Sequence, residues 1–315
     1  MLTGKPFDDL RTIISQLPEA DDCAGRKFRE ACHYGTLAGT ASQGDDDLGL
    51  LGAWLARWQG SAAPKIKDVH ICLLASSYEG AGDPAEVLAY IAATAKGRAP
   101  VNLMCVDRGI GLRALEMAPS LPHAAGAAWS EADCMAAVAF GMEAAASGGD
   151  VLGLAALAPG GDVHALNVIA AVRPDVMDAL DADFPEMVGW VDRAAVSPLA
   201  EAKDPLEALR QLGGREIAGS VGALIAARSR RLPVLVEGYA ALAAMVVLDA
   251  LQPGSCDHVR VAAPDSSFFA RLARVVGHEP LLNQSVGIGP GCAVPVALPL
   301  LEACSLLPQM PTMDL

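Results

Sequence analysis

The chain has 315 residues, 52% of them hydrophobic and 19% charged, with a formal net charge of −14 and a pI of about 4.8. That length supports a sizeable core, built as one large domain or as a large and a small one. The acidic balance argues against nucleic acid, whose phosphates must be neutralised by Lys and Arg, and leaves any phosphate site to local N–H groups and a few Arg.

The first apolar positions, Phe7, Leu10, Ile13, Ile14 and Leu17, fall at helical spacing, and Pro18 stops the run. The stretch from Gly39 to Asp47 is polar and reads as flexible. Leu48 to Gln59 reads as an amphipathic helix ending at Gly60. From Val69 the pattern becomes alternating α and β. Val69 to Leu74 is a short buried strand, Pro84 to Thr94 a helix, and Val101 to Val106 (VNLMCV) the next apolar strand. Ser130 followed by Asp133 makes a capping pattern for a helix running to Ala146.

Asp150 to Leu157 is a strand, broken by Pro159-Gly160-Gly161, with a helix from about His164. Asp204-Pro205 starts another helix with Pro at the favoured first position. Arg215 to Arg230 is helical, Leu232 to Val236 a strand and Ala240 to Ala250 an Ala-rich helix. Val259 to Ala263 is a strand, Phe268 to Val276 a helix, and Pro280-Leu281-Leu282 short and extended. An apolar helix runs from about Val294 to Leu307.

Strands alternating with helices predict an α/β fold, a Rossmann-like, mostly parallel sheet flanked by helices, with a small helical lobe. The expected division is a helical lobe over residues 1–65, joined by the terminal helix within 293–315, and an α/β core over 66–292. The eight cysteines form no C-x-x-C and most lie in apolar runs, which reads as reduced, buried thiols in a cytoplasmic protein. The six histidines do not cluster, and Cys32-His33 stands without further ligands nearby, so neither metal nor cofactor is expected. The first residues lack a basic n-region followed by a long apolar stretch, and no apolar run is long enough to span a membrane.

Several segments together carry a resemblance. Leu212-Gly213-Gly214-Arg215-Glu216-Ile217-Ala218 is followed by Leu232-Pro233-Val234-Leu235-Val236-Glu237-Gly238-Tyr239. Leu51 to Gly60, Ala99 to Met104, Ser130 to Ala145 and Ala297 to Ala303 add to it in order. In these segments the chain resembles the nicotinate-nucleotide:dimethylbenzimidazole phosphoribosyltransferase family, which activates the lower ligand of vitamin B12. That family shows L-G-G-x-E-I-A and then P-V-x-x-D-G-F at this spacing. The resemblance spans essentially the whole chain and implies a Rossmann-like domain with a small helical domain, usually as a homodimer.

The family's functional motifs are where the chain departs. Its nucleotide loop G-E-M-G-I-G-N-T-T falls on Ala155 to Val163, so the glutamate becomes Ala156 and the Thr pair becomes Asp162-Val163. Its phosphate-binding lysine falls on Met187; Arg193, Arg210 and Arg215 are the candidate substitutes. Its A-D-H-G falls on Ala75 to Tyr78, and its S-A-E-P-G-H on the region of Ala263 to Ser267. The glutamate of its G-E-G-T-G-A, the general base, falls on Pro290 whether counted from Pro280 or back from Glu302. Proline has no ionisable group and no N–H.

The resemblance therefore leaves no catalytic residue, and the ligand-binding candidates are Ala156, Pro159, Gly160, Gly161, Glu237, Ser266, Gly289 and Gly291. Pro159-Gly160-Gly161-Asp162 equally reads as a strand-to-helix turn with an Asp cap. Glu237, at the family's Asp position, equally reads as a strand-end carboxylate capping the next helix.

Three functional readings follow. One is a non-catalytic family member that binds an azole, a nucleotide or another ligand, as a homodimer or beside an active paralogue. Another is a divergent phosphoribosyltransferase acting on a nucleotide and an azole. The third is an enzyme of another class using Glu237, His258, Asp265, Ser266 and Ser267, the polar groups placed near strand carboxyl ends.

Overall fold

The computed structural model describes residues 4–32, 34–35, 41–42, 47–124 and 129–310. Most of the polar stretch 39–47, His33 and the final residues 311–315 lie outside the described residues.

Three helices come first: α1 (Pro6–Ser15), α2 (Asp22–Ala31) and α3 (Asp47–Gln59). Five strands then form one parallel sheet: β1 (Val69–Ala75), β2 (Gly111–Glu116), β3 (Val151–Leu157), β4 (Val234–Val236) and β5 (Val259–Val261). Between β1 and β2 lie α4 (Pro84–Ala95) and α5 (Pro100–Arg108). Between β2 and β3 lies α6 (Glu131–Gly141), which tightens into a 3₁₀ turn over Met142–Ala145. The long β3–β4 connection holds α7 (Gly161–Val172), α8 (Pro174–Asp181), α9 (Pro185–Val188), α10 (Arg193–Ala202), α11 (Pro205–Leu212) and α12 (Arg215–Ser229). Then come α13 (Gly238–Leu251) before β5, and α14 (Ser267–Val275) and α15 (Ala293–Leu306) after it.

The strand order is β2-β1-β3-β4-β5, every pair parallel, with Val69 opposite Val151, His70 opposite Gly111, Leu152 opposite Val234 and Val234 opposite Val259. Because β1 runs outward to β2 while β3 runs the other way to β4, the chain direction reverses between β1 and β3. A sheet of this kind opens a crevice outside the carboxyl ends of its strands at that switch point.

Alternate strand residues feed two cores, as the two-residue period demands. Cys72, Leu74, Leu152, Leu154, Val234 and Val236 pack against α6, α7, α12 and α13 on one face. Val69, Ile71, Leu73, Val151, Ala155 and Leu235 pack against α3, α5 and α15 on the other. The N-terminal helices divide between these faces. Phe7, Leu10 and Ile14 of α1 join the first core, whereas α3 supplies Trp54, Leu55 and Trp58 to the second. A small satellite cluster of Phe28, Cys32, Ala53, Ala56 and Leu307 ties α2 and α3 to the chain's end.

One expected element is of the wrong type. Val101 to Val106 is not a strand but the body of α5. Pro100 sits at its first position, and the Asn102 side chain accepts from the Ala99 N–H at 2.9 Å while donating to the Thr94 carbonyl at 3.0 Å. Val101, Asn102 and Cys105 are buried while Leu103 and Val106 face solvent, a helical rather than alternating pattern. The strand in question is β2, whose Arg113 and Glu116 masked it, as polar residues do on an edge strand. The short segment at Leu281-Leu282 forms no strand, though both N–H groups donate to the carbonyls of Val261 and Ala262 just past and alongside β5. The capping pattern at Ser130 is present as read: its Oγ accepts from Asp133 N–H at 3.1 Å, and Asp133 accepts from Ser130 N–H.

Candidate functional site

Three strands end on one cleft of about 550 Å³. β3 delivers Ala156 and Leu157, and the turn after it Pro159, Gly161 and Asp162. β4 delivers Glu237, Gly238 and Tyr239; the segment after β5 delivers Asp265 and Ser266. The lip is the α14–α15 connection, through Val286, Gly287, Gly289 and Pro290, and Met187 and Trp190 close the far side.

Most sequence-derived candidates therefore converge: Ala156, Pro159, Gly161, Glu237, Ser266, Gly289 and Pro290 all border this cleft. Two do not. Gly160 turns the chain into α7 with φ +78°, and a Cβ there would run into Ala81. Gly291, at φ +84°, lies against Leu73 and Val101, where a Cβ would come within 2.9 Å of Leu73. Its place is structural, under the lip rather than on it.

Glu237 is buried, 7% exposed. It caps a helix, but not the next one. Its side chain makes no cap bond to α13; one carboxylate oxygen instead accepts from the Gly291 N–H and the other from the Ala293 N–H at 2.6 Å, at the start of α15. A carboxylate from the middle of the chain thus anchors both the Pro290 lip and the final helix. Burial pushes its pKa up to about 7; the two N–H donors pull the other way, and Asp265 adds to the rise.

Ser266 is likewise committed. Its Oγ accepts from the Phe269 N–H at 3.1 Å as the N-cap of α14, with Tyr239 Oη 3.5 Å away. Asp162, by contrast, is not a cap. Gly160 takes that position, and Asp162 sits in the first turn of α7, reached by solvent through the cleft. Partial desolvation against the cleft walls raises the carboxyl pKa values of Asp162 and Asp265, the latter to about 6 with the Asp162 charge adding to its rise.

Behind the cleft lies a polar cluster that sequence reasoning did not assemble. Glu216, the acid of the L-G-G-R-E-I-A segment, is fully buried and reaches the cleft wall. It accepts from Ser76 Oγ and from Tyr78 Oη, the latter at 2.5 Å. Ser76 and Tyr78 come from the end of β1, so this contact spans the switch point. Tyr78 stacks on His164 with ring centroids 3.9 Å apart, and His164 Nδ1 donates to the Leu212 carbonyl at 3.1 Å. Burial raises the pKa of Glu216 and lowers that of His164; His123, edge-on to Tyr78, is pushed down to about 4. Gly214 makes room for all of this: a Cβ there would fall 1.9 Å from Tyr78 Oη. The available signal was Glu216 itself, the one acid of a mostly apolar helix that follows Gly213-Gly214.

The electrostatics of the cleft are one-sided. Asp162, Glu216, Glu237 and Asp265 line it, and no Lys, Arg or His does so among the described residues. The candidate substitutes for the phosphate lysine are engaged or placed elsewhere. Arg210 pairs with Glu207 and donates to the Trp129 carbonyl, Arg215 donates to the Leu121 carbonyl at 2.6 Å, and Arg193 starts α10. His258 is also misplaced by the sequence reading. It precedes β5 at the amino end of the strands, fully buried beside Trp58, with burial pushing its pKa down to about 3.

A doubly wound parallel α/β protein with a ligand-sized cleft at its switch point defines the class. Comparison with known proteins makes it specific. A family model described as Phosphoribosyltransferase matches residues 46–314. The nicotinate-nucleotide–dimethylbenzimidazole phosphoribosyltransferases of Brucella anthropi and Brucella melitensis are each 32% identical over 96% of this chain and 94% of their own. CobT from Thermus thermophilus superposes with a TM-score of 0.75 at 20% identity, covering 91% of this chain and 96% of that one. A second structure, described as the corresponding phosphoribosyltransferase of the same organism, gives 0.71 over 99% and 97%. The chain belongs to the nicotinate-nucleotide–dimethylbenzimidazole phosphoribosyltransferase family.

Proposed function

We propose that this chain is a family member whose cleft no longer carries out phosphoribosyl transfer and instead holds a small aromatic ligand without an anionic group. The observation that carries this reading is the charge of the cleft. Four carboxyl groups and, among the described residues, no cation line it, and the resemblance matches Met187 to the family's phosphate lysine and Pro290 to its base.

The transfer named in the curated relatives requires a nucleotide to bind and a heterocycle nitrogen to lose a proton as it attacks. A phosphate entering beside Asp162 and Asp265 meets like charge rather than a counterion. One lost charge-assisted contact weakens binding by about 1.5–3 kcal/mol. Loss of a general base slows the chemical step by roughly 10²–10⁴. Neither loss alone abolishes turnover, but together they leave little to recruit or activate the substrates. What the cleft does offer is a half-exposed Trp190, Tyr239, Met187, Val286 and two prolines, surfaces suited to a flat neutral or cationic heterocycle.

Incubation of micromolar protein with nicotinate mononucleotide and dimethylbenzimidazole tests the first half of the proposal, with no ribotide expected by chromatography. Accumulation of ribotide at multiple turnovers overturns it in favour of a divergent transferase. A thermal-shift series tests the second half: benzimidazoles raise the melting temperature by mass action and nicotinate mononucleotide does not. The assembly we propose, a homodimer or a heteromer with an active paralogue, is checked by co-purification and light scattering; a strict monomer removes it.

A further inference from the structure

At the opposite end of the same strands lies a second cavity, of about 640 Å³, which unlike the cleft is lined by cations. Its walls come from three connections: the α3–β1 segment through Lys65, the turn before β3 through Gly148, Gly149 and Asp150, and the α12–β4 segment through Arg230 and Arg231. In a chain with 23 basic and 37 acidic residues, three cations from two separate segments converge here, and among the described residues none of the three makes an ion pair.

The two acids beside them, Asp21 and Asp150, each accept backbone N–H groups and leave the cations in excess by one. Asp21 accepts from the Ala24 N–H at 3.0 Å as the cap of α2. Asp150 accepts from the N–H groups of Lys67 at 2.8 Å and Asp68 at 3.0 Å. The pocket is also held in shape. Gln59 accepts from the Lys65 N–H at 2.8 Å and donates to the carbonyls of Lys65 and Asp150, tying two walls together. Arg231 holds the left-handed conformation at φ +53°, a position after a helix that ordinarily favours Gly. The α12 dipole accounts for a cation in its last turn. It does not account for Lys65, nor for keeping Arg rather than Gly at the strained position.

We propose that this cavity is a binding site for a small multivalent oxyanion, a phosphorylated or polycarboxylate metabolite gripped by Arg230, Arg231 and Lys65. Guanidinium groups donate in a planar fork that matches both phosphate and carboxylate, and the volume suits a small molecule rather than a lone ion. The site shares β3 and β4 with the cleft but stands independently of any reading of it.

Isothermal titration with inorganic pyrophosphate and, separately, citrate tests the proposal, against chloride at matched ionic strength. At least one of the two binds the intact chain, and their relative affinity tells phosphoryl from carboxyl recognition. The double variant Arg230→Ala with Arg231→Ala weakens that binding at least tenfold. Arg231→Gly weakens it severalfold while the melting temperature without ligand stays level or rises, which separates a binding role from a structural one. Absence of binding by both anions beyond the chloride control overturns the proposal, as does binding that the double variant leaves unchanged.

Discussion

Replacing Glu237 by Gln tests the central electrostatic claim, that a buried carboxylate anchors α15 at the expense of an unfavourable charge. Gln keeps the shape and one acceptor oxygen but presents an NH₂ to one of the two N–H donors, from Gly291 and Ala293. At low pH, where the native carboxyl is largely protonated, the substitution costs about 1–3 kcal/mol for that lost acceptor. Native Glu237 contributes to stability with a definite pH dependence. Its carboxyl pKa rises from 4.5 to about 7 on folding, so the folded state binds the proton more tightly. The contribution of Glu237 to stability is therefore fully present below pH 4.5 and is lost as pH climbs from there through 7. With 1.36 kcal/mol per pKa unit, the decline between pH 5.5 and 8.5 is about 2 kcal/mol. Gln cannot ionise, so its cost shrinks by that same amount over the interval and is close to zero or reversed at pH 8.5. Urea unfolding of both proteins at the two pH values measures this. A cost that instead grows with pH would mean that the two N–H donors hold the carboxylate ionised, and would refute the reasoning.

Two further outcomes are expected. Pro290→Glu places an acid on the cleft lip but adds a fifth carboxyl group to the four already there and supplies no cation. It forms no ribotide above background, and a gain of 10² or more in turnover, within the range a base can supply, would show that the base alone was missing. Gly214→Ala forces a methyl group to within 1.9 Å of Tyr78 Oη and 2.9 Å of a Glu216 oxygen, so it destabilises by at least about 2 kcal/mol as an overpacked core does; calorimetry checks it, and a shift below 1 °C would show that the Glu216 cluster yields freely.

Much of this molecule was legible in its sequence because the signals were local. Pro205 at a helix start, the Ser130–Asp133 pair, and the apolar runs of β1, β3 and β4 each specify an element through short-range sterics and hydrogen bonding. The resemblance then brought Ala156, Pro159, Gly161, Glu237, Ser266, Gly289 and Pro290 to one cleft. Local signals failed where two short-range readings compete. VNLMCV has strand composition, and only the Asn102 cap and the one-sided burial of α5 show it to be a helix; the polar edge strand β2 carries too weak an alternation to announce itself.

What a side chain does across the fold is a different matter, because hydrogen bonds between distant segments leave no periodicity in the sequence. Glu237 reads as a cap for the helix that follows it, yet its partners are 54 and 56 residues away, at Gly291 and Ala293. Ser76 and Tyr78 reach Glu216 across 140 and 138 residues. The charge of a cleft is a sum over groups from many segments. The sequence by itself determined the family and the parallel α/β scaffold, and it raised the expectation, at Met187 and Pro290, that a cation and an acid of the family's motifs are replaced. Only the tertiary structure decided that Asp162, Glu216, Glu237 and Asp265 share one cavity with no Lys, Arg or His among the described residues lining it, because proximity of charges is a property of the packed sheet and not of their spacing along the chain.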